Sequence, residues 1–346
     1  MRESSRERQS PGTFSSRSAA ATLLRSAVTL SSTIIKTMHT RTVAIVGILA
    51  ASLLAGGAAS AASGFVVNSD DVGTRDFDAL HRVDLSSGQA IKVGEVRVGD
   101  AAAPFADIEG LAMSPEGLLY GIDDASKTLI TIDTQTGRGF PVGGREGNTG
   151  LPRTTNFDFG LTFDCSGELY ASSDSRRSLY RIDRSTGSAT LVGTDGGLGA
   201  QITGLTARHD GVYGIGSSGD ENLYRIDTSS GRATLIGALG AGLEFTDGGV
   251  DFDAAGQLWG VADMSGTSIG GAPSVLFRID PITGAATRMG TTLTGVESLA
   301  ITEPVCSAPD ADPTPPAIPT LDRSGLGLLG ALLALLAMVA LRPSQR

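Results

Sequence analysis

A repeat of about fifty residues most constrains the fold of this 346-residue chain. Five segments share the pattern Leu-x-x-hydrophobic-Asp-x-x-Ser/Thr-Gly, and their aspartates are Asp84, Asp133, Asp183, Asp227 and Asp280. The alternating residues before each aspartate predict a strand, and Asp-x-x-Ser/Thr-Gly predicts a turn with glycine in the left-handed conformation. Units of about 40–50 residues with several short strands are typical of propeller blades.

We therefore predict an all-β chain: a β-propeller with five four-stranded blades over residues 62–304. A second hairpin pattern precedes each repeated turn, which brings the complete units to four strands. The first unit, residues 64–94, lacks one strand, and residues 297–302 supply it. Pairing the last strand into the first blade closes a ring and removes exposed sheet edges. A sixth, degenerate blade within 143–156 is the alternative that the sequence leaves, although this stretch lacks the repeated turn.

Charge is distributed unevenly along the chain, which separates targeting segments from a folded domain. Residues 1–61 carry a net charge of +5, residues 62–318 carry −17 and residues 319–346 carry +2. So acidic a domain argues against nucleic-acid binding, which needs a basic patch. The two cysteines exclude a multi-disulfide scaffold and a cysteine-based zinc site.

The N-terminal part of the chain has the pattern of a signal peptide over residues 38–61. A short basic segment precedes an apolar run over 43–54, and a small-x-small cleavage pattern follows. We expect cleavage by signal peptidase, at a site formed by Ala59, Ala61 and Ala62, so that the mature chain begins at Ala62. Residues 1–37 are rich in Ser and Arg, which predicts a disordered gene-start extension, with an organellar transit peptide as the alternative.

The C-terminal part of the chain consists of a Pro- and Asp-rich linker, residues 305–317, and a second targeting segment, residues 318–346. The second segment begins with Ile318-Pro319-Thr320-Leu321, continues with an apolar run over 326–341 and ends with basic residues. This order resembles the IPTL-type C-terminal sorting signal of Gram-negative bacteria. The resemblance implies an exosortase-like sorting enzyme, transient anchoring in the inner membrane by a transmembrane helix, and delivery to the cell surface or secretion. An ordinary membrane anchor is the alternative.

Acidic residues recur just before the predicted innermost strands, at Glu109, Asp158, Asp247 and Glu297, while blade 4 has Thr203 there. We expect these side chains to face one mouth of the central channel. Carboxylates gathered there could bind Ca²⁺, a cationic ligand or a polyhydroxylated one. The alternative, which the sequence favours, is a solvated rim whose carboxylates cap backbone N–H groups, since the spacing of these acids from the next Leu or Val differs between blades.

The two cysteines pose a separate question. Cys165 lies in a predicted hairpin turn, and Cys306 follows the closing strand. An exported domain permits a disulfide, which would staple the ring. The two residues belong to non-adjacent blades, however, and a disulfide needs Cα atoms within about 7 Å of each other. The sequence therefore favours free thiols and leaves a Cys165–Cys306 bond open.

The function predicted from these features is that of an exported binding or interaction module, with a surface glycan or a protein as its ligand. The repeats resemble a poorly characterised domain of exported bacterial proteins with the pattern Leu-Tyr-x-Ile-Asp-x-x-Thr-Gly, and this resemblance implies a fold but no reaction. The alternative is a Ca²⁺-dependent hydrolase or lyase that uses the acids of the mouth. Catalysis is less favoured because residues 62–304 contain only two histidines, His81 and His209.

Overall fold

The computed structural model describes residues 62–69, 78–97, 105, 107–153, 155–264, 271–301 and 305–306. The predicted signal peptide, the sorting motif at 318–321 and the apolar run over 326–341 lie outside the described residues, as do most of the linker and the start of the chain. Within the described residues, no helix has the length and apolar character needed to cross a bilayer.

The described residues form 19 strands in five antiparallel sheets, and each sheet is one blade. Blade 1 contains β1 (Ser63–Val67), β2 (Ala79–Asp84) and β3 (Ala90–Glu95). Blade 2 contains β4 (Ile108–Met113), β5 (Leu119–Asp123), β6 (Thr128–Ile132) and β7 (Gly139–Pro141), followed by a 3-10 turn at Val142–Gly144. Blade 3 contains β8 (Phe159–Phe163), β9 (Leu169–Ser173), β10 (Ser178–Ile182) and β11 (Ala189–Val192). Blade 4 contains β12 (Ile202–Arg208), β13 (Gly211–Gly216), β14 (Asn222–Asp227) and β15 (Arg232–Ala238). Blade 5 contains β16 (Gly248–Phe252), β17 (Leu258–Ala262), β18 (Pro273–Ile279) and β19 (Ala286–Thr294).

The ring closes where residues 296–301 lie beside β1. Phe65 and Ala300 exchange two backbone hydrogen bonds of 2.6 and 2.9 Å, and Asn68 forms an antiparallel bridge with Val296. This closing segment completes blade 1, so the prediction of five blades closed by the C-terminal strand is confirmed. The described residues between β7 and β8 contain turns and no strand, which leaves no sixth blade there.

The apolar core consists of five clusters, each between two neighbouring blades. The cluster that joins the last blade to the first packs Trp259 and Leu276 of blade 5 against Val66 and Val83 of blade 1, all of them at most 2% exposed. Ring closure therefore buries apolar surface as well as satisfying a sheet edge, and burial of such surface is the main driving force for folding.

Each repeated turn is held by its aspartate and by a neighbouring blade. In blade 2, Asp133 Oδ1 accepts hydrogen bonds from the backbone N–H groups of Gln135 (2.8 Å) and Thr136 (3.0 Å). Gly137 has φ +78°, and a Cβ added to it would lie 2.6 Å from the carbonyl oxygen of Gly94 in blade 1. Glycine is required here both by the backbone conformation and by the close approach of two blades.

The two ends of the channel differ. The innermost strands β4, β8, β12, β16 and the closing segment all begin at one end, which we term the mouth. They run towards the opposite end, which carries the repeated turns and the hairpin turns between the first and second strands of each blade. We term this end the turn face.

The described residues after the closing segment, Val305 and Cys306, cross the turn face and are termed the strap. The backbone N–H of His209 in blade 4 donates to the carbonyl of Val305 at 2.7 Å. Cys306 forms a disulfide with Cys165 in the hairpin turn of blade 3, with the Cα atoms 5.3 Å apart. The expectation that the two thiols are free is therefore wrong. The chain leaves blade 1 at Ile301 and contacts blade 4 at Val305. Cys306 can therefore reach blade 3 although it follows the strand that completes blade 1.

Candidate functional site

Below the mouth, the central channel is closed by apolar side chains, one from each innermost strand. They are Leu111, Leu161, Leu205, Val250 and Leu299, and each of them is at most 3% exposed. The cavity that they line holds about 10 Å³, which is no more than the space that one water molecule needs. An organic substrate therefore has no room inside the channel.

The predicted acids at the mouth occupy two different kinds of position. The register of β4 against β5 shifts between Ile108 and Gly110, which places Glu109 on a β-bulge. The register of β12 shifts in the same way between Ile202 and Gly204. β8 and β16 pair without a shift. Glu109 and Thr203 are the extra residues of these bulges, which explains why their spacing from the next Leu differs from the spacing of Asp158 and Asp247.

Residues on the bulges cap the next blade. Glu109 Oε2 accepts a hydrogen bond of 2.5 Å from the backbone N–H of Phe159 in blade 3. Thr203 Oγ1 lies 3.4 Å from the backbone nitrogen of Gly248 in blade 5, which donates to it. Burial, followed by the charges of Asp158 and Glu297, raises the pKa of Glu109 well above its usual value. The bulge at Glu109 thus links two blades, and its carboxyl is held away from solvent.

Asp158 and Asp247 meet a third aspartate at the mouth, Asp174, which the sequence analysis missed. Asp174 follows β9, and its backbone N–H donates to the carbonyl of Asp158 at 3.3 Å. One carboxylate oxygen of each of these three residues lies within 4.8 Å of the other two. Burial, followed by the charges of Asp158 and Asp247, raises the pKa of Asp174 to about 9.

The repeat contained a signal that would have identified Asp174. The residue that follows the second strand of a complete blade is acidic in three blades and serine in the fourth, and these residues are Asp124, Asp174, Ser217 and Asp263. Because second strands run towards the mouth, an acid at their ends lies next to the residue that precedes the innermost strand. Asp263 shows the same geometry in blade 5, where its N–H donates to the carbonyl of Asp247 at 2.8 Å.

A second acidic group contains its own cation. It consists of Asp107, Glu109 and Asp124, and Asp124 occupies the position in blade 2 that Asp174 occupies in blade 3. Lys127 Nζ forms an ion pair with Asp124, and both side chains are at most 2% exposed. The ammonium also lies 4.8 Å from the ring centre of Phe157, a cation–π distance. Burial raises the pKa of Asp124, while the hydrogen bond and charge of Lys127 act in the opposite direction.

Neither histidine of the described residues belongs to the mouth. The Nδ1 atom of His81 lies 2.9 Å from the carbonyl oxygen of Ala79 within blade 1, and His209 lies in the turn between β12 and β13 on the turn face. In the part of the chain that the structure describes, the mouth thus gathers carboxylates without a neighbouring histidine and without a substrate-sized cavity beneath it.

Fold and site together define a five-bladed β-propeller with an acidic mouth and a closed channel. The family model described as "Repeat of unknown function (DUF6923)" matches residues 166–299, and the model of the IPTL-CTERM motif matches residues 316–343. Both resemblances expected from the sequence are confirmed. The chain is an exported protein that carries a β-propeller repeat domain and a C-terminal sorting signal.

Solved structures resemble the chain only distantly. A virginiamycin B lyase from Staphylococcus aureus has a TM-score of 0.38 and 15% identity, over 66% of this chain and 69% of the lyase. A gluconolactonase from Xanthomonas campestris has a TM-score of 0.40 and 13% identity, over 69% of this chain and 78% of that protein. A protein of unknown function from Bacteroides caccae has a TM-score of 0.45 and 12% identity, over 70% and 100%. No activity carries over at such similarity, and no curated protein sequence matches the chain significantly.

Proposed function

We propose that the chain is an exported binding module of the Gram-negative cell envelope that recognises a polyhydroxylated ligand, a surface glycan, at its acidic mouth. One observation carries this proposal: carboxylates gather at one end of a channel that five apolar side chains close. Such a surface suits contact with an extended ligand, whereas an enzyme of small substrates needs an enclosing pocket. Carboxylates accept hydrogen bonds from sugar hydroxyls, and such charge-assisted bonds are among the stronger ones.

Export and sorting would bring the propeller to this location. In the proposed sequence of events, signal peptidase cleaves between Ala61 and Ala62. The segment 326–341 then holds the chain in the inner membrane until an exosortase-like enzyme acts near Ile318. Removal of the tail at that point leaves the propeller at the cell surface or free in the medium.

The disulfide supports a defined orientation while the tail is attached. Cys306 is fixed to blade 3 on the turn face, and only the eleven residues 307–317 lie between it and Ile318. A Pro-rich linker of this length spans roughly 40 Å when extended. The turn face would therefore point towards the membrane, and the acidic mouth would point away from it, where a glycan is accessible.

The test uses the exported chain purified from producing cells and the polysaccharide fraction of the same cell surface, with binding measured by biolayer interferometry. Asp158→Asn/Asp247→Asn should weaken binding roughly tenfold or more, because hydrogen bonds to charged groups contribute about 1.5–3 kcal/mol each. Glu168→Gln, an exposed carboxylate on the turn face, is the control and should leave the affinity unchanged. Absence of polysaccharide binding, or an equal loss in the control, would refute the proposal. Release of soluble sugar fragments would favour the hydrolase or lyase instead.

A further inference from the structure

The three aspartates at the mouth have the geometry of a cation site. Asp158 precedes β8 and Asp174 follows β9 in blade 3, while Asp247 precedes β16 in blade 5. One carboxylate oxygen from each lies within 4.8 Å of the other two. Carboxylates at such distances repel one another when they ionise, and a bound cation would remove that repulsion.

Asp174 supplies an independent observation that points to a ligand. Its side chain is 5% exposed, yet its Oδ1 atom is buried and has no hydrogen-bond partner. Buried polar atoms in native proteins nearly always have a partner, so a buried carboxylate oxygen without one calls for an ion or a water molecule. Asp174 accordingly lies where a cation would satisfy it.

The partners of the other two aspartates hold them in place. Asn156 Nδ2 donates to Asp158 Oδ1 at 2.7 Å, and Thr203 Oγ1 donates to Asp247 Oδ1 at 3.1 Å. Asp158 and Asp247 are themselves partly exposed, so an ion can reach the three carboxylates from the mouth.

The equivalent group in blade 2 shows how the same fold neutralises such acids. There, Lys127 places its ammonium on Asp124 inside the protein. The corresponding residue after Asp174 is Arg177, and this side chain is exposed. Its guanidinium contacts Gln201 Oε1 at 3.5 Å, not Asp174. Blade 2 therefore carries a built-in cation beside its acids, whereas the turn residue of blade 3 leaves Asp174 without one.

We propose that Asp158, Asp174 and Asp247 bind one divalent cation at the mouth, and that this cation is Ca²⁺. The ligand set consists of carboxylate oxygens, which hard cations prefer. Ca²⁺ tolerates irregular geometry and takes six to eight oxygens, so water or ligand hydroxyls can fill the positions that face solvent. Mg²⁺ demands near-ideal octahedral geometry, for which three aspartates from two blades are less suited. The inference deepens the proposed function, because the ion would bridge the mouth to sugar hydroxyls, but its geometry stands without the glycan.

The experiment measures Ca²⁺ binding to the chelator-treated exported chain in the absence of any saccharide. Thermal unfolding with increasing CaCl₂ and isothermal titration calorimetry with the metal alone should both detect one site in the wild-type protein. Asp174→Asn preserves side-chain shape and should weaken the affinity for Ca²⁺ roughly tenfold or more, since affinity follows the number of charged ligands. Asp107→Asn is the control, because it removes the same charge from the acidic group of blade 2, where Asp107 is the equivalent of Asp158, and it should bind Ca²⁺ as the wild type does.

Two results would overturn the proposed site. One is a wild-type protein whose unfolding temperature and calorimetric trace do not respond to millimolar Ca²⁺. The other is an Asp174→Asn protein that is folded by circular dichroism and binds Ca²⁺ as tightly as the wild type. In that case Asp247→Asn, which removes a second ligand of the same site, should also bind Ca²⁺ as tightly as the wild type. These outcomes separate the inference from the proposed function: polysaccharide binding without Ca²⁺ binding refutes the ion site alone, and Ca²⁺ binding without polysaccharide binding refutes the glycan alone.

Discussion

Replacing Lys127 with methionine would test how the propeller keeps carboxylates at its mouth. Methionine retains the length and apolar stem of the side chain but removes the ammonium that pairs with Asp124 and lies over Phe157. Removing one partner of a buried ion pair leaves the other charge unpaired, which costs about 3–5 kcal/mol. The cation–π contact belongs to the same ammonium, so its loss is part of this cost and is not added to it.

The pKa of Asp124 determines how the cost depends on pH. Burial already raises this pKa, and Lys127 counteracts the rise. Without Lys127 the carboxyl becomes protonated more readily, and a neutral Asp124 needs no cation. The destabilisation caused by Lys127→Met should therefore be smaller at pH 5 than at pH 8. Lys127→Met/Asp124→Asn should recover most of the lost stability, because the double variant leaves no buried charge behind.

Urea unfolding followed by the fluorescence of Trp259 is the appropriate assay. Trp259 is the chain's single tryptophan, it is 2% exposed, and it packs between the last and first blades. A loss of 3 kcal/mol corresponds to a fall in melting temperature of about 10 °C for a domain of this size. The exposed Lys92→Met is the control and should cost less than about 1 kcal/mol, since its ion pair with Glu95 is a surface one. A cost for Lys127→Met as small as that of the control, or a double variant no more stable than the single one, would refute the reasoning.

Three further predictions concern other parts of the molecule. Cys165→Ser/Cys306→Ser should lose about 2–4 kcal/mol of unfolding free energy, and a reducing agent should lower the melting temperature of the wild type but not of this variant. In Ca²⁺-free solution, the pKa of Asp174 is raised to about 9, so the folded state favours the protonated carboxyl. The contribution of this carboxyl to stability is complete below its pKa in the unfolded chain and is lost as the pH rises towards 9. Melting temperatures between pH 5 and 9 should fall less steeply for Asp174→Asn, and parallel curves would contradict this. Mass spectrometry of the native protein should show a C-terminus near Ile318, and an intact Arg346 would contradict sorting by cleavage.

The fold was predictable from the sequence because the same local chemistry recurs in each blade. Asp133 and its four equivalents mark one turn per unit, and the three-strand first unit together with the unpaired last strand indicates closure. These signals are local, and local signals survive without knowledge of the tertiary structure.

The site was predictable only in part, since it depends on register and on contacts between strands. Glu109 lies on a bulge, so it is not structurally equivalent to Asp158. Its carboxylate instead accepts a hydrogen bond from the backbone N–H of Phe159. Asp174 follows the second strand of its blade, whereas the predicted acids all precede innermost strands. The disulfide depends on the course of the chain after Ile301, which no repeat encodes.

The strap has a mechanical consequence. A pull on the C-terminal segment, such as an anchored tail would exert, reaches Cys306 before it reaches the closing segment, and the covalent bond transfers the load to the hairpin turn of blade 3. The closing segment beside β1, which Phe65 and Ala300 hold with two hydrogen bonds, then bears no tension. The disulfide thus protects the closure of the ring: a force applied to the tail of an anchored propeller would not separate the closing segment from β1.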